Sequence, residues 1–287
     1  MTKPRKINRA FASRPTMEGA GVHLKRAFGF GDEHLFDPFL LMDDFRGDNP
    51  SDYIKGFPWH PHRGIETITY VLAGEVVHGD SMGNRGVIAA GDVQWMTAGS
   101  GIIHQEMPKG DDQGRMYGFQ LWANLPASRK MMDPRYREVK SAQIPEVTLE
   151  GGTIVRLICG EVGGVTAPVR DIVIDPQYLD ISIPAGGEYR HATKPDHTVF
   201  AYVFEGEGFF PDSSGMNHGN GSLILFDSGD EIRMLAGSAG MRLLLISGCP
   251  LDEPISWYGP IVMNTDEELE LAFKEYREGS FIKKSGR

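Results

Sequence analysis

Cysteine is scarce in this chain: its 287 residues include two, Cys159 and Cys249. That is too few for a disulfide framework. Both lie in apolar, strand-like runs (VRLICGEV and LLLISGCP), as buried small hydrophobes of a reducing cytoplasm do. Long apolar runs are missing as well. None approaches the ~18–20 residues that a membrane-crossing helix needs. The basic start, MTKPRKINRAFASRPT, lacks the apolar stretch of a secretion signal. The Lys283-Lys284 pair is too short for a localisation signal. A cytoplasmic protein without membrane contact is the expectation. Positive charge is in the minority, with 29 Lys and Arg against 39 Asp and Glu, a formal charge of −10. With no basic run beyond the N-terminal one, direct nucleic-acid binding is disfavoured.

What is abundant is punctuation. Thirty-six Gly and eighteen Pro break the sequence into short, turn-bounded apolar runs. ETITYVLAGEVVHGDSMGN, RGVIAAGDVQWMTAGSG and MYGFQLWANL follow one another at hairpin spacing, which predicts an all-β sandwich or barrel. The stretch from Pro126 to Glu146 is charged and carries Pro134 and Pro145. It has room for a short helix at most and reads as a linker. Strands then resume, and Tyr70-Val71-Leu72-Ala73-Gly74-Glu75 lines up with Tyr202-Val203-Phe204-Glu205-Gly206-Glu207 at an offset of 132. Gly91-Asp92-Val93 finds Gly221-Ser222-Leu223 at an offset of 130. A near-constant offset marks a duplicated unit. The domains are expected at 1–128 and 147–287, with 129–146 between them. One helix pattern stands out, Asp266–Glu278, with Thr265 as N-cap, Glu268 three residues on, and Leu269, Ala272, Phe273 and Tyr276 on one face. It is expected to pack on the second half.

Two short constellations carry chemistry. In His60-Pro61-His62 the imidazoles are two residues apart, so on an extended chain both point to one face. His104-Gln105-Glu106 repeats this with an imidazole and a carboxylate. Three imidazoles and a carboxylate suit a first-row divalent metal and leave an octahedral ion two open positions. Either motif alone is a common accident, and His191, His197 and His218 read as surface or hydrogen-bonded core residues. Phe57, Trp59, Met42 and Phe45 are candidates for a pocket wall as well as for plain core.

The block from HPHRGIETITYVLAGEVVHGDSMGN through RGVIAAGDVQWMTAGSGIIHQEMP resembles the N-terminal cupin domain of the pirin family, and FGFGDEHLFDPFLLMDDFRGD is similar to its lead-in. The resemblance spans the chain, closest from about Arg26 to Asn124 and looser in the second half. It implies two tandem cupin (jelly-roll) barrels with a short linker helix and a C-terminal helix. Gly56, His60, His62, Glu66 and Gly74 follow the general cupin motif with spacings off by a residue or two. Cupins commonly ligate through that glutamate, whereas pirins use the carboxylate two residues after the later histidine. The resemblance therefore implies His60, His62, His104 and Glu106 as metal ligands and Glu66 as a supporting carboxylate. In the second half the two offsets carry these four positions to Ala192, Lys194, Met234 and Ala236, none of which is a ligand in this family's set.

The family further implies one ion, Fe(II) or Fe(III), with Zn, Mn, Ni, Co and Cu as alternatives. It also implies dioxygenation of a flavonol such as quercetin, or of another enolisable aromatic, by O2, with Glu106 as ligand or proton acceptor. A second expectation is a redox-sensing regulator that binds a protein partner without turnover. A third is a different cupin reaction using Zn or Mn. A monomer is expected.

Overall fold

The computed structural model describes residues 2–211 and 215–283; Met1, 212–214 and 284–287, Lys284 among them, lie outside the described residues. Almost all regular structure is antiparallel β, as the alternating, Gly-punctuated runs require. Among the described residues no helix is long and apolar enough to cross a membrane.

The chain forms two compact units, but not at the expected boundaries. One unit is Pro15–Ser141 together with Leu251–Arg287; the other is Met1–Arg14 together with Ala142–Pro250. The expected division at 128 and 147 therefore misplaces both ends of the chain. The reason is strand pairing at long range. Ile7–Ala12 forms the edge of the second unit's large sheet by pairing with Ser222–Phe226. The supposed linker also contains a strand, Arg135–Val139, which forms the edge of the first unit's large sheet by pairing with Val93–Thr97. Helix there is limited to single 3-10 turns at Ala127–Arg129 and Ser141–Gln143. The terminal helix, Asp266–Arg277, has the full capping box between Thr265 and Glu268. It packs on the hairpin Ser256–Tyr258/Ile261–Met263, within the first unit and not the second. Ala272 is its buried contact, beside Ile261 and Met263.

Within each unit the same order of strands recurs, as a duplication demands. The first unit's small sheet runs Phe57–His62, Ile102–Lys109, Glu75–Asp80, Arg85–Ala89. In the second unit the corresponding strands are Glu188–Ala192, the start of Glu231–Gly248, the end of Thr198–Phe209, and His218–Gly219. The second unit's interior holds an apolar cluster that includes Val155, Leu179, Ala201, Ile224 and Leu245. In the first unit, buried apolar clusters include one around Val22, Val71 and Ile88 and another around Leu40, Ile65 and Met96.

Candidate metal centre

Strand geometry delivers the histidines to one place. His60 and His104 are direct cross-strand partners in the pairing of Phe57–His62 with Ile102–Lys109. His62 lies two residues from His60 on the same face, opposite Ile102. One ligand nitrogen from each of the three falls within 4.8 Å of the others. His62 and His104 are buried; His60 is partly exposed at the cavity wall.

Hydrogen bonds fix which nitrogen faces inward. His60 Nδ1 lies 2.8 Å from the Pro58 carbonyl and His62 Nδ1 lies 3.0 Å from the Pro260 carbonyl. A carbonyl only accepts, so both rings carry their proton on Nδ1 and turn a bare Nε2 inward. Those two Nε2 atoms are 3.1 Å apart. Two neutral lone pairs at that separation repel, whereas a shared cation makes the same arrangement favourable. Two nitrogens each about 2.1 Å from one ion lie about 3.0 Å apart at a right angle and about 3.4 Å apart at the tetrahedral angle. The observed spacing therefore fits two donors to a single ion. Both His104 nitrogens are buried and have no hydrogen-bonding partner among the described residues. Burial lowers the pKa of all three imidazoles, well below the ordinary value for His62 and His104, so the rings are neutral donors. The donor set fits a first-row transition ion.

Glu106 lies on the same strand as His104, beyond a bulge, and lines the same cavity. It is not one of the three converging groups. Its carboxylate accepts from Thr69 Oγ1 at 3.2 Å and from Gln120 Nε2 at 3.4 Å. Burial pushes its pKa up to about 7, against the Thr69 hydrogen bond. Glu66 faces elsewhere. It is buried, and it accepts from Trp95 Nε1 at 3.0 Å and from Thr97 Oγ1. Glu66→Gln is expected to cost about 1–3 kcal/mol of stability, since the new amide meets two donors with one acceptor. Co(II) titration of that variant should give the wild-type affinity; a weaker affinity would show that Glu66 reaches the ion.

The cavity in front of the histidines has a volume of about 740 Å³. Its apolar wall includes Phe57 and Phe45, as the sequence suggested, together with Trp122, Trp257 and Tyr258. Met42 and Trp59 take no part: Met42 is packed away from the cavity and Trp59 is half exposed on the surface.

Sequence reasoning missed a polar row across the inner face of the large sheet. Adjacent strands place Arg26, Asp43, Gln120, Thr69, Gln94 and Glu138 side by side. Arg26 donates twice to Asp43, both at 2.8 Å, and Glu138 accepts from His78 at 2.8 Å. The corresponding row in the second unit is Leu157, Leu179, Leu245, Ala201, Ile224 and Ala10. One fold thus tolerates an entirely apolar row here, so the polar one is not a requirement of the barrel. The signal for it was a polar residue in each of several otherwise apolar strands, such as Gln120 in YGFQLWAN. Gly86 belongs to the same construction. A Cβ there would sit 2.6 Å from His78 Nε2 and 2.9 Å from Glu138, so glycine makes room for their contact.

Register also corrects the expected correspondence of the two halves. His62 opposes Ile102, and in the second unit His191 opposes Ile232, the residue 130 positions on from Ile102. The positions matching His60 and His62 are therefore Tyr189 and His191, not Ala192 and Lys194. Met234 pairs with Tyr189 as His104 pairs with His60. His191 is hydrogen-bonded by Tyr189 Oη at 3.0 Å and Gln177 Oε1 at 2.9 Å, and burial lowers its pKa to about 4.

Comparison with known proteins gives a consistent result. The pirin family model matches residues 21–123, and the pirin C-terminal cupin domain matches 178–282. A pirin-like protein of Caulobacter vibrioides is 42% identical, covering 96% of this chain and 99% of its own. Pirin-1 of Arabidopsis thaliana is 37% identical, covering 96% and 93%. Among solved structures, quercetin 2,3-dioxygenase from Acinetobacter baumannii superposes with a TM-score of 0.89 at 30% identity, covering 97% of this chain and 98% of that one.

Proposed function

The chain belongs to the pirin family, and from that premise we propose that it is a metal-dependent dioxygenase. Its substrate in this reading is a flavonol or a related enolisable aromatic, its co-substrate is O2, and its metal is iron held by His60, His62 and His104. The observation that carries the reading is the pair of bare Nε2 atoms 3.1 Å apart beside an imidazole whose nitrogens meet no partner among the described residues. The likeness to the Acinetobacter dioxygenase supports the substrate class. When bound, the ion supplies Lewis acidity and one-electron redox chemistry that imidazole and carboxylate groups lack.

The protein's own residues do the rest. Phe57, Phe45 and Trp122 offer flat apolar surface to an aromatic ring system and keep water from it. Glu106, with a pKa near neutrality, accepts the proton of the substrate hydroxyl. Thr69 and Gln120 hold its two oxygens in place for that transfer. Turned away from them toward the histidines, the same carboxylate is the fourth donor. The net charge of −10 supports a monomer without nucleic-acid contact.

The test is O2 uptake by iron-loaded protein with a panel of flavonols and catechols. Substrate-dependent uptake that disappears in His62→Ala is expected. No uptake with one iron per chain would overturn the dioxygenase reading. One observation favours the regulator instead: Phe30 and Tyr258, at the cavity rim, are 73% and 70% exposed. Such aromatic exposure suits a protein partner, and that reading requires partner affinity to differ between Fe(II) and Fe(III).

A further inference from the structure

Three consecutive residues at the edge of the candidate metal centre are each fastened to the last segment of the chain. His62 donates from Nδ1 to the Pro260 carbonyl. Arg63 is buried, and its guanidinium donates to the Ser100 carbonyl at 2.7 Å and the Phe281 carbonyl at 2.8 Å. It also pairs with Glu275 at 2.8 Å and lies 4.2 Å over the Phe281 ring. The Arg63 carbonyl accepts from Val262 N–H at 3.1 Å. At Gly64 a Cβ would come within 1.9 Å of the Val262 carbonyl, so only glycine allows the approach. The Lys130 ammonium then closes the join, giving its three protons to Gly64 O, Asn124 Oδ1 and Val262 O.

Pro260 itself sits in the two-residue turn between Ser256–Tyr258 and Ile261–Met263, where Gly259 supplies the left-handed φ of +54°. A turn that needed only to reverse the chain would not have to enter the barrel. This one lines the cavity and meets a ligand ring.

We infer that residues 251–283 support the metal centre from outside its ligands. The Pro260 carbonyl sets the tautomer and the ring angle of His62, and the clasp of Arg63 on Glu275 and Phe281 holds that carbonyl in place. Pro260 and Arg63 are positioning residues, acting through His62. Outer partners of this kind typically govern metal affinity by about 10–100-fold. The inference rests on the reading of His60, His62 and His104 as ligands.

The experiment is Co(II) binding to the full chain, read by chelator competition and by the visible spectrum of the bound ion. Arg63→Met removes a buried cation that several groups depend on and risks unfolding. Glu275→Gln and Phe281→Leu loosen the clasp more gently, with Glu66→Gln as a control of reduced stability. Combined, the two clasp substitutions are expected to lower Co(II) affinity about 10–100-fold and to shift the spectrum, while Glu66→Gln changes neither. In the wild-type protein, ¹⁵N shifts should show His62 protonated at Nδ1. Clasp variants with wild-type affinity and spectrum would overturn the inference while leaving the ligand assignment standing. A wild-type chain that binds no Co(II) would remove the ligand assignment, and the inference with it.

Discussion

Replacing His104 with leucine is expected to abolish metal binding and, in the same protein, to make the metal-free form more stable. The second effect separates a ligand from an ordinary core histidine. A buried polar group without a partner costs about 1–3 kcal/mol relative to an apolar group of similar shape, and both His104 nitrogens are in that position among the described residues. Leucine has about the same bulk and suits the buried strand interior. Metal-free His104→Leu should therefore gain about 1–3 kcal/mol, read as a higher denaturant midpoint at unchanged slope. Losing an outer partner already weakens metal sites by about 10–100-fold, so loss of a ligand should exceed about 100-fold. The stabilisation that added Co(II) gives the wild-type protein, by binding the folded form alone, should vanish with it. A variant that loses stability and still binds the ion would mean that His104 is an ordinary core histidine and not a ligand.

The same frustration explains which parts of the site were legible. His60, His62 and His104 could be read from the sequence because the period of two puts ligands on one face whatever the rest of the fold does. The terminal helix could be read for a similar reason, its capping box and apolar face being local features. The strand Arg135–Val139 could not. Its RYREV is charged because it is an edge strand, and an edge strand with that composition looks like linker. Ile7–Ala12 pairs with residues more than two hundred positions away, and nothing within six residues announces such a partner. The match of His62 to His191 was hidden by a three-residue change of spacing between strands. An offset of 132 holds for Tyr70 and Tyr202, but 129 holds for the histidine strand. Thr69 and Gln120 were passed over because each is one polar residue in an apolar run, and their meaning appears only when the register places them beside Glu106.

Glu106 should leave its mark on the pH dependence of stability in the metal-free protein. Its pKa is about 7 in the folded chain against an ordinary value of 4.5. Between those values the folded form keeps a proton that the unfolded form has lost, so stability falls as pH rises across that window. At about 1.4 kcal/mol for each pH unit, the fall reaches about 3 kcal/mol. The three histidines act in the opposite direction. Their pKa values are lowered on folding, so the unfolded chain binds more protons below about pH 6.5 and stability rises with pH there. The wild-type curve is thus a partial cancellation, and Glu106→Gln should remove the falling contribution of this carboxyl from it. The difference between the two proteins, from urea titrations between pH 4.5 and 7.5, isolates the carboxyl. A flat difference would place Glu106 at an ordinary pKa and remove its case as a base.

The same proton also decides whether Glu106 joins the ion. At pH 6 the carboxyl of the metal-free chain is largely protonated, given its pKa of about 7. A carboxylate must be ionised to act as a ligand, so metal uptake would expel that proton. Calorimetry of Co(II) binding in buffers of different ionisation enthalpy counts the protons released. The wild-type protein is expected to release about one more than Glu106→Gln at pH 6, and the excess should disappear at pH 8, where the carboxyl is already ionised. Equal release at pH 6 would leave Glu106 with Thr69 and Gln120, outside the coordination sphere and facing the substrate as a base.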